Sequence, residues 1–269
     1  IKSIVFCTLI LSFVSCSEYQ KMLNNPDSNL KYKAAEVYYK EGEYKKANRI
    51  FEQIVPNYRG KPQAQRIIYF YANSYFQIRD YNLSAYQFES FVKSYPKSDR
   101  AQEAYFMAAK SYYMLSPRFS LDQQDTYKAI DKLQIFLDNY PDGEFSDDAN
   151  TLISELQVKL EKKFFEISKK YYTIRDYKAS INAFDSFISD FPGTPFKEEA
   201  LYYKFLSNYE LAINSIFDKK EERLVEAKEL GDSLLDYFPE SLFLEDIEKK
   251  FKNIEKELTS FDQTTTNTK

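Results

Sequence analysis

The sequence predicts an all-α fold built from helical hairpins that stack on one another. The 269 residues include only 5 Gly and 9 Pro but 17% aromatic and 29% charged residues, so the chain lacks the frequent turn residues of sandwiches and barrels. Its apolar residues recur at intervals of three and four, which is the spacing of one helix face. Blocks with this spacing also return along the chain, as is typical of solenoids.

The first residues predict a signal peptide. An apolar run from Ile4 to Val14 follows Lys2 and ends just before Cys16. Such a run is shorter than the ~20 residues that cross a bilayer, and it matches the core of a signal peptide. A buried first helix or strand is the alternative, but the polar sequence that follows disfavours it. We therefore predict a lipoprotein signal peptide at residues 1–15.

The segment Phe13–Cys16 resembles a bacterial lipobox, although Phe13 replaces the usual Leu. In that motif the cysteine is acylated and becomes the new N-terminus, so the resemblance implies lipidation of Cys16. Several acyl chains on one cysteine anchor a protein stably to a membrane. Ser17 is not an acidic retention residue, so the resemblance also implies the outer membrane. Residues 16–28 are predicted to be a lipidated polar tether.

The clearest repeat has a spacing of 37 residues. The residues that return are Ala35, Tyr38, Tyr44, Phe51, Val55 and Tyr58, as Ala72, Tyr75, Tyr81, Phe88, Val92 and Tyr95. The second half of the block occurs five times, and its copies start at Phe51, Phe88, Leu133, Phe184 and Gly231. Its apolar columns at i, i+3, i+4 and i+7 form one helix face, with Gly231 in place of a large residue. A Pro closes four of the five copies, where a helix must stop.

Each block therefore predicts a helical hairpin. Its turn is predicted at Gly42 in the first copy and at Asp80 in the second. The second helices are predicted to start near Ala47, Ser84, Ala129, Ser180 and Ala227. One hairpin cannot bury both of its faces, so the hairpins must stack. The order of small, aromatic, Gly and Pro positions resembles the tetratricopeptide repeat, and we predict a tetratricopeptide-like helical-hairpin solenoid of about five repeats over residues 29–258.

The later copies are longer than the ~34-residue motif, and the additions have identifiable places. Leu115–Thr126 is predicted to lengthen the loop of the third hairpin, and Ser146–Arg175 to form one extended helix. The segment around Phe217–Arg223 is predicted to lengthen the fifth hairpin, and Leu242–Leu258 to form a C-terminal capping helix. The polar tail Thr259–Lys269 is predicted to be disordered.

Composition excludes several classes of function. The sequence has no His, and its 2 Cys are Cys7 and Cys16, so imidazole-based catalytic triads and zinc sites built from His and Cys are excluded. The 37 basic and 41 acidic residues are mixed along the chain, without the one-sided basic surface that nucleic acids require. No spacing singles out a carboxylate pair. We predict no enzymatic activity, no cofactor, no metal and no nucleic-acid partner.

Hairpins behind a lipobox resemble the BamD family of outer membrane protein assembly factors, from Cys16 to about Leu258. The resemblance lies in Cys16–Tyr19, in the segment Tyr39–Tyr44 and in the repeated Phe-x-x-Phe blocks. It implies a scaffold of the β-barrel assembly complex on the periplasmic face of the outer membrane. The implied partners are the barrel-forming outer-membrane assembly subunit, other complex members and unfolded outer-membrane protein precursors.

Two other envelope lipoproteins built on such repeats remain as alternatives. A pilotin-type secretin assembly factor would share both the anchor and the hairpins, so only its partner would distinguish it. A glycan-binding lipoprotein is disfavoured because sugar sites favour exposed Trp, and this chain has none.

The first helices of tetratricopeptide hairpins line a concave groove, so aromatic residues that recur on them are candidates for binding a peptide. These candidates are Tyr32, Tyr39, Tyr69, Phe76, Phe106 and Tyr113. Packing of the same rings within and between hairpins is the alternative. The resemblance implies that precursors present a terminal aromatic-rich segment. By elimination, the loop Leu115–Thr126 and the fifth hairpin are predicted to hold the partner subunit.

Overall fold

The computed structural model describes residues 18–266, with side chains as far as Phe261. The predicted signal peptide and the lipidation site Cys16 lie outside the described residues. Within 18–266 the regular structure is entirely helical. Internal contacts divide the described residues into two compact units, with the boundary between Leu156 and Gln157.

A short helical stretch at residues 18–23 precedes eleven longer helices in the described part of the chain. These are α1 (Ser28–Lys40), α2 (Tyr44–Tyr58), α3 (Ala64–Gln77), α4 (Tyr81–Ser94), α5 (Ala101–Leu115), α6 (Gln124–Asn139), α7 (Ser146–Thr173), α8 (Tyr177–Asp190), α9 (Lys197–Ile213), α10 (Phe217–Tyr237) and α11 (Leu244–Thr266). In the first unit each helix from α1 to α6 packs against the next. In the second unit α8 packs on α9, α9 on α10 and α10 on α11. The predicted fold class, an all-α tetratricopeptide-like solenoid of five hairpins with a capping helix, is confirmed.

The repeated Phe column forms the centre of the hairpins. Its buried members are Phe51, Phe88, Leu133 and Phe184, all with no accessible surface. Small residues allow the helices to approach closely: Ser111 Oγ donates to Ser84 Oγ at 3.0 Å, and Ser207 Oγ donates to Ser180 Oγ at 2.8 Å. Each pair joins the second helix of one hairpin to the first helix of the next. The same contact therefore recurs in both units, as expected for a repeat array.

Proline ends the second helices as predicted. Each of these helices stops two residues before a Pro, α4 at Ser94, α6 at Asn139, α8 at Asp190 and α10 at Tyr237. The first copy differs because Pro56 lies inside α2, which continues to Tyr58.

Asp80 lies between α3 and α4, where the sequence predicted the turn of the second hairpin. Asp80 is the N-cap of α4, and its side chain accepts a hydrogen bond from the Leu83 backbone N–H at 3.2 Å. The residue that reverses the chain is Arg79, with φ of 66°, at the place where the first hairpin has Gly42 with φ of 77°. The fourth hairpin uses Arg175 in the same way, with φ of 64°. Left-handed backbone at a non-glycine residue is strained, so two of these turns store conformational energy.

The predicted tether is too long at its C-terminal end. Residues 18–23 are helical, and Tyr19, Met22 and Leu23 pack against the core of the first hairpin. The Tyr19 ring meets the Tyr38 ring edge to face, with centroids 5.6 Å apart. These three apolar residues stand at i, i+3 and i+4, which is a helix face within a segment that is otherwise polar.

The predicted disordered tail is also partly wrong. Helix α11 continues through Thr266 rather than ending at Leu258. Phe261 lies two helical turns beyond Ile254 on the same apolar face of α11, and it is only 7% exposed. Its ring lies 4.7 Å from that of Phe217 at the start of α10. Burial of this ring explains why the helix extends into residues expected to be disordered.

The longer third, fourth and fifth hairpins follow the expected additions with one difference. Residues 116–123 form the loop of the third hairpin, and α7 is a single helix of 28 residues. In the fifth hairpin the second helix starts earlier than the predicted position near Ala227. Helix α10 begins at Phe217, well before Ala227, and runs for 21 residues.

Candidate protein-binding surface

The six predicted groove residues fall into two groups in the structure. Tyr69 and Phe106 are each only 3% exposed, so they present no open face to a ligand. The Tyr69 ring contacts Phe88 and Phe91, and the Phe106 ring stacks on Phe145 with centroids 5.0 Å apart. The other four, Tyr32, Tyr39, Phe76 and Tyr113, are half-buried. The expected ladder of six rings is therefore interrupted at the third ring, Tyr69, and the fifth ring, Phe106.

Tyr39 in the last turn of α1 lies over the second hairpin. Its hydroxyl donates to Asn73 Oδ1 on α3 at 2.9 Å, and Gln77 Nε2 donates to the same oxygen at 3.3 Å. Its ring stacks on Phe70, with centroids 4.5 Å apart and planes at 22°. Burial raises the pKa of Tyr39 to about 12. The residue thus joins two first helices through both a ring contact and a polar contact.

Tyr32 belongs to a charged cluster on the same face. Its hydroxyl donates to Glu36 Oε1 at 2.7 Å, and Arg66 Nη2 lies 2.8 Å from that oxygen. Burial, followed by the hydrogen bond to Glu36, raises the pKa of Tyr32 to about 12. Because the Arg66 side chain remains 53% exposed, its guanidinium keeps donors available beyond the ion pair.

Two arginines, Arg66 and Arg100, lie near the ring of Phe70. None of these three residues was predicted from the sequence as part of the groove. The Arg66 guanidinium lies 5.3 Å from the Phe70 ring centroid, and that of Arg100 lies 5.8 Å from it. Arg100 also lies 4.3 Å from the centroid of Tyr69. These distances are within the range of cation–π attraction. Arg66, Phe70 and Arg100 line an open cavity of about 560 Å³ together with Asp99.

Phe76 and Tyr113 occupy the last turns of α3 and α5. The Phe76 ring meets Tyr81 edge to face at 5.3 Å. The Tyr113 hydroxyl donates to Glu155 on α7, and this hydrogen bond, with burial, raises the pKa of Tyr113 to about 12. Neither ring is fully enclosed. We call the half-buried and charged residues Tyr32, Tyr39, Arg66, Phe70, Phe76, Arg100 and Tyr113 the first-unit surface.

The first-unit surface combines aromatic faces with two guanidinium groups. Aromatic and Arg side chains dominate the energetics of protein interfaces, since they bury a large area and donate several hydrogen bonds. Among residues 18–266 no cluster of three or more Cys, Asp or Glu is arranged to hold a metal. No helix in the same range is both long and apolar enough to cross a membrane. The described chemistry fits binding of a protein segment.

A family model described as YfiO, outer membrane lipoprotein, matches residues 24–224 and, in a second overlapping match, residues 159–268. No curated protein matches the chain. Among solved structures, the chain is similar to the TPR2AB domain of yeast Sti1 in its complex with pHSP90. That similarity covers 85% of this chain and 98% of the other, at 11% identity and a TM-score of 0.38.

Proposed function

The chain belongs to the YfiO family of outer membrane lipoproteins, and from this premise we propose that it is a scaffold of the outer-membrane β-barrel assembly complex. In this proposal Cys16 carries the acyl chains, and the helical hairpins face the periplasm. The scaffold binds the barrel-forming subunit and unfolded outer-membrane protein precursors. It performs no catalysis and needs no cofactor.

The observation that supports precursor binding is the first-unit surface. The resemblance implies that precursors present a terminal aromatic-rich segment, and the half-buried rings of Tyr39, Phe70 and Phe76 each leave part of their surface accessible to such side chains. Arg66 and Arg100 offer donors to the backbone carbonyls or to a terminal carboxylate of the same segment. The tyrosine hydroxyls are held by Glu36, Asn73 and Glu155, so the rings are pre-positioned and lose little side-chain entropy on binding.

The barrel-forming subunit is proposed to bind elsewhere. The loop of the third hairpin and the fifth hairpin are the irregular parts of the array, and irregular segments more often carry specific contacts. Gln123 fixes that loop, since its Nε2 donates to the carbonyls of Arg118 and Leu121 at 2.9 Å. An ordered loop of this kind presents a defined surface. A crosslinking map that places the subunit on the first two hairpins would refute this part of the proposal.

Precursor binding is tested with a labelled peptide copied from the terminal aromatic segment of a barrel precursor. We expect Tyr39→Ala, Phe76→Ala and Tyr113→Ala each to weaken binding at least ~5-fold, as interface aromatics do when truncated. Tyr86→Ala is the matched control, because Tyr86 is 63% exposed on the second helix α4. Unchanged affinity in all three variants, with lowered thermal midpoints, would show that these rings serve only the core.

A further inference from the structure

We propose that the second unit contains a docking groove for a partner segment that carries an aromatic side chain close to a Lys or Arg. The groove lies between α7 and the turn that joins α8 to α9, and its cavity measures about 380 Å³. Leu160, Glu161, Asp190, Phe191 and Pro192 line it. This site is separate from the first-unit surface and does not depend on precursor binding there.

An apolar stripe leads into the groove along α7. Phe164 is 42% exposed, and its ring lies 5.5 Å from that of Phe191 at the edge of the cavity. Ile167, Tyr171 and Ile174 continue the stripe at steps of three and four residues, and all three are exposed. Large apolar side chains aligned on one exposed helix face are typical of contact surfaces. The stripe therefore favours an occupant with an aromatic or large aliphatic side chain.

The two carboxylates in the groove, Glu161 and Asp190, indicate that the occupant also carries a positively charged side chain. Glu161 Oε2 is buried, yet it has no hydrogen-bond partner within the described part of the chain. Buried acceptors of this kind are rare because desolvation without a donor destabilises the fold. The exposed carboxylate of Asp190 lines the same cavity. A Lys or Arg of the occupant would satisfy Glu161 and neutralise both carboxylates with charge-assisted hydrogen bonds.

The two carboxylates also argue against a membrane surface as the occupant. An anionic bilayer would be repelled by the exposed carboxylate of Asp190 and would leave the buried Oε2 of Glu161 without a donor. A protein segment that pairs an aromatic with a cation matches both the stripe and the unsatisfied oxygen.

The test uses the full lipidated chain in detergent and fluorescein-labelled nonapeptides as probes. One peptide contains Phe next to Arg, a second replaces Arg with neutral citrulline, and a third replaces Phe with Ala. We expect the Phe–Arg peptide to bind at least ~10-fold more tightly than the citrulline peptide, as loss of a charged hydrogen-bond partner predicts. Binding is measured by fluorescence anisotropy.

Three variants separate the groove from general effects. Glu161→Gln should erase the preference for Arg while leaving the unfolding midpoint unchanged or higher, because it removes a buried carboxylate without a partner. Phe164→Ala should weaken the Phe–Arg and citrulline peptides equally. Glu166→Gln, on the same helix but outside the groove lining, is the control and should bind all three peptides as the wild type does.

The proposal is overturned if the Arg and citrulline peptides bind equally, or if neither binds. It is also overturned if Glu161→Gln lowers the unfolding midpoint, since that would assign Glu161 a partner inside the fold. Adsorption to anionic vesicles that depends on Phe164, without peptide binding, would assign the stripe to a membrane instead.

Discussion

A Cβ atom on Gly231 would overlap Phe251 Cε1, so α10 and the capping helix α11 meet where a side chain is missing. Phe205 Cε2 on α9 would lie 3.0 Å from the same Cβ. The one small residue in this repeated column of large side chains is thus the place where a ring of the cap enters the last hairpin. The fifth copy has no large side chain at this position, and the Phe251 ring of α11 occupies the space instead.

In Gly231→Ala, overpacking is expected to cost about 1–3 kcal/mol, and the intrinsic preference of a helix for Ala over Gly offsets about 1 kcal/mol of that cost. We therefore expect the free energy of unfolding to fall by up to about 2 kcal/mol. Urea denaturation followed by circular dichroism measures the change. Gly193→Ala is the control, since a Cβ there meets nothing within 4 Å. A more stable Gly231→Ala variant would contradict the packing of α11.

Arg79→Gly is expected to stabilise the chain by about 0.5–1 kcal/mol. Arg79 has φ of 66° and an exposed side chain, so glycine relieves backbone strain without removing buried contacts. The matched reverse change is Gly42→Ala, which should destabilise the first hairpin because φ there is 77°. Both are measured from urea midpoints. Destabilisation by Arg79→Gly would indicate that the arginine makes a contact stronger than the strain.

Phe106→Ala is expected to destabilise the chain by about 3–5 kcal/mol, as truncation of a buried ring does. The ring packs on Phe136 and Phe145 within the first unit. Tyr86→Ala, at an exposed ring, should change stability by less than ~0.5 kcal/mol. If the two variants were equally stable, Phe106 would be free to serve the first-unit surface after all.

The stability of the first hairpins should fall at alkaline pH through Tyr39. Burial raises its pKa in the folded chain to about 12 from the ordinary 10.0. The folded state therefore holds the proton that the unfolded state loses, so this contribution is complete below pH 10 and declines as pH rises toward 12. Unfolding of wild type and Tyr39→Phe at pH 8 and pH 11 compares the two slopes.

Tyr39→Phe should be less stable than wild type at pH 8 by about 1 kcal/mol, because it loses the hydrogen bond to Asn73. Between the two pH values it should lose less stability than wild type does. Tyr86→Phe controls for removal of a hydroxyl at an exposed ring. Identical slopes in wild type and Tyr39→Phe would place the tyrosine in water rather than between α1 and α3.

The hairpins could be predicted from sequence because each relies on local signals. The Phe column marks the buried face of every second helix, and Pro marks its end. The tether and tail were less predictable because Tyr19 and Phe261 are single rings in polar sequence, and only their contacts with Tyr38 and Phe217 show that they pack against the hairpins.

The candidate surface was only partly predictable because the 37-residue spacing cannot distinguish the end of a stack from its interior. Tyr32 and Tyr69 hold equivalent positions, yet Tyr69 has Phe88, Phe91 and Arg100 around its ring. Tyr32 contacts Tyr58 and remains half-buried. Arg100 lies just before α5 rather than on a repeated column, so no periodic signal marks it. The connection before α5, which lies outside the repeated columns, supplies this charge.

The central proposal is a lipid-anchored scaffold that holds a barrel-forming partner, and co-purification tests it most directly. The intact lipoprotein is extracted in mild detergent, captured through a C-terminal tag, and its retained partners are identified by mass spectrometry. We predict recovery of a large outer-membrane β-barrel protein with the wild type, and release of Cys16→Ser from the membrane fraction. Recovery of a secretin, or of no barrel protein from a correctly anchored chain, would contradict the account.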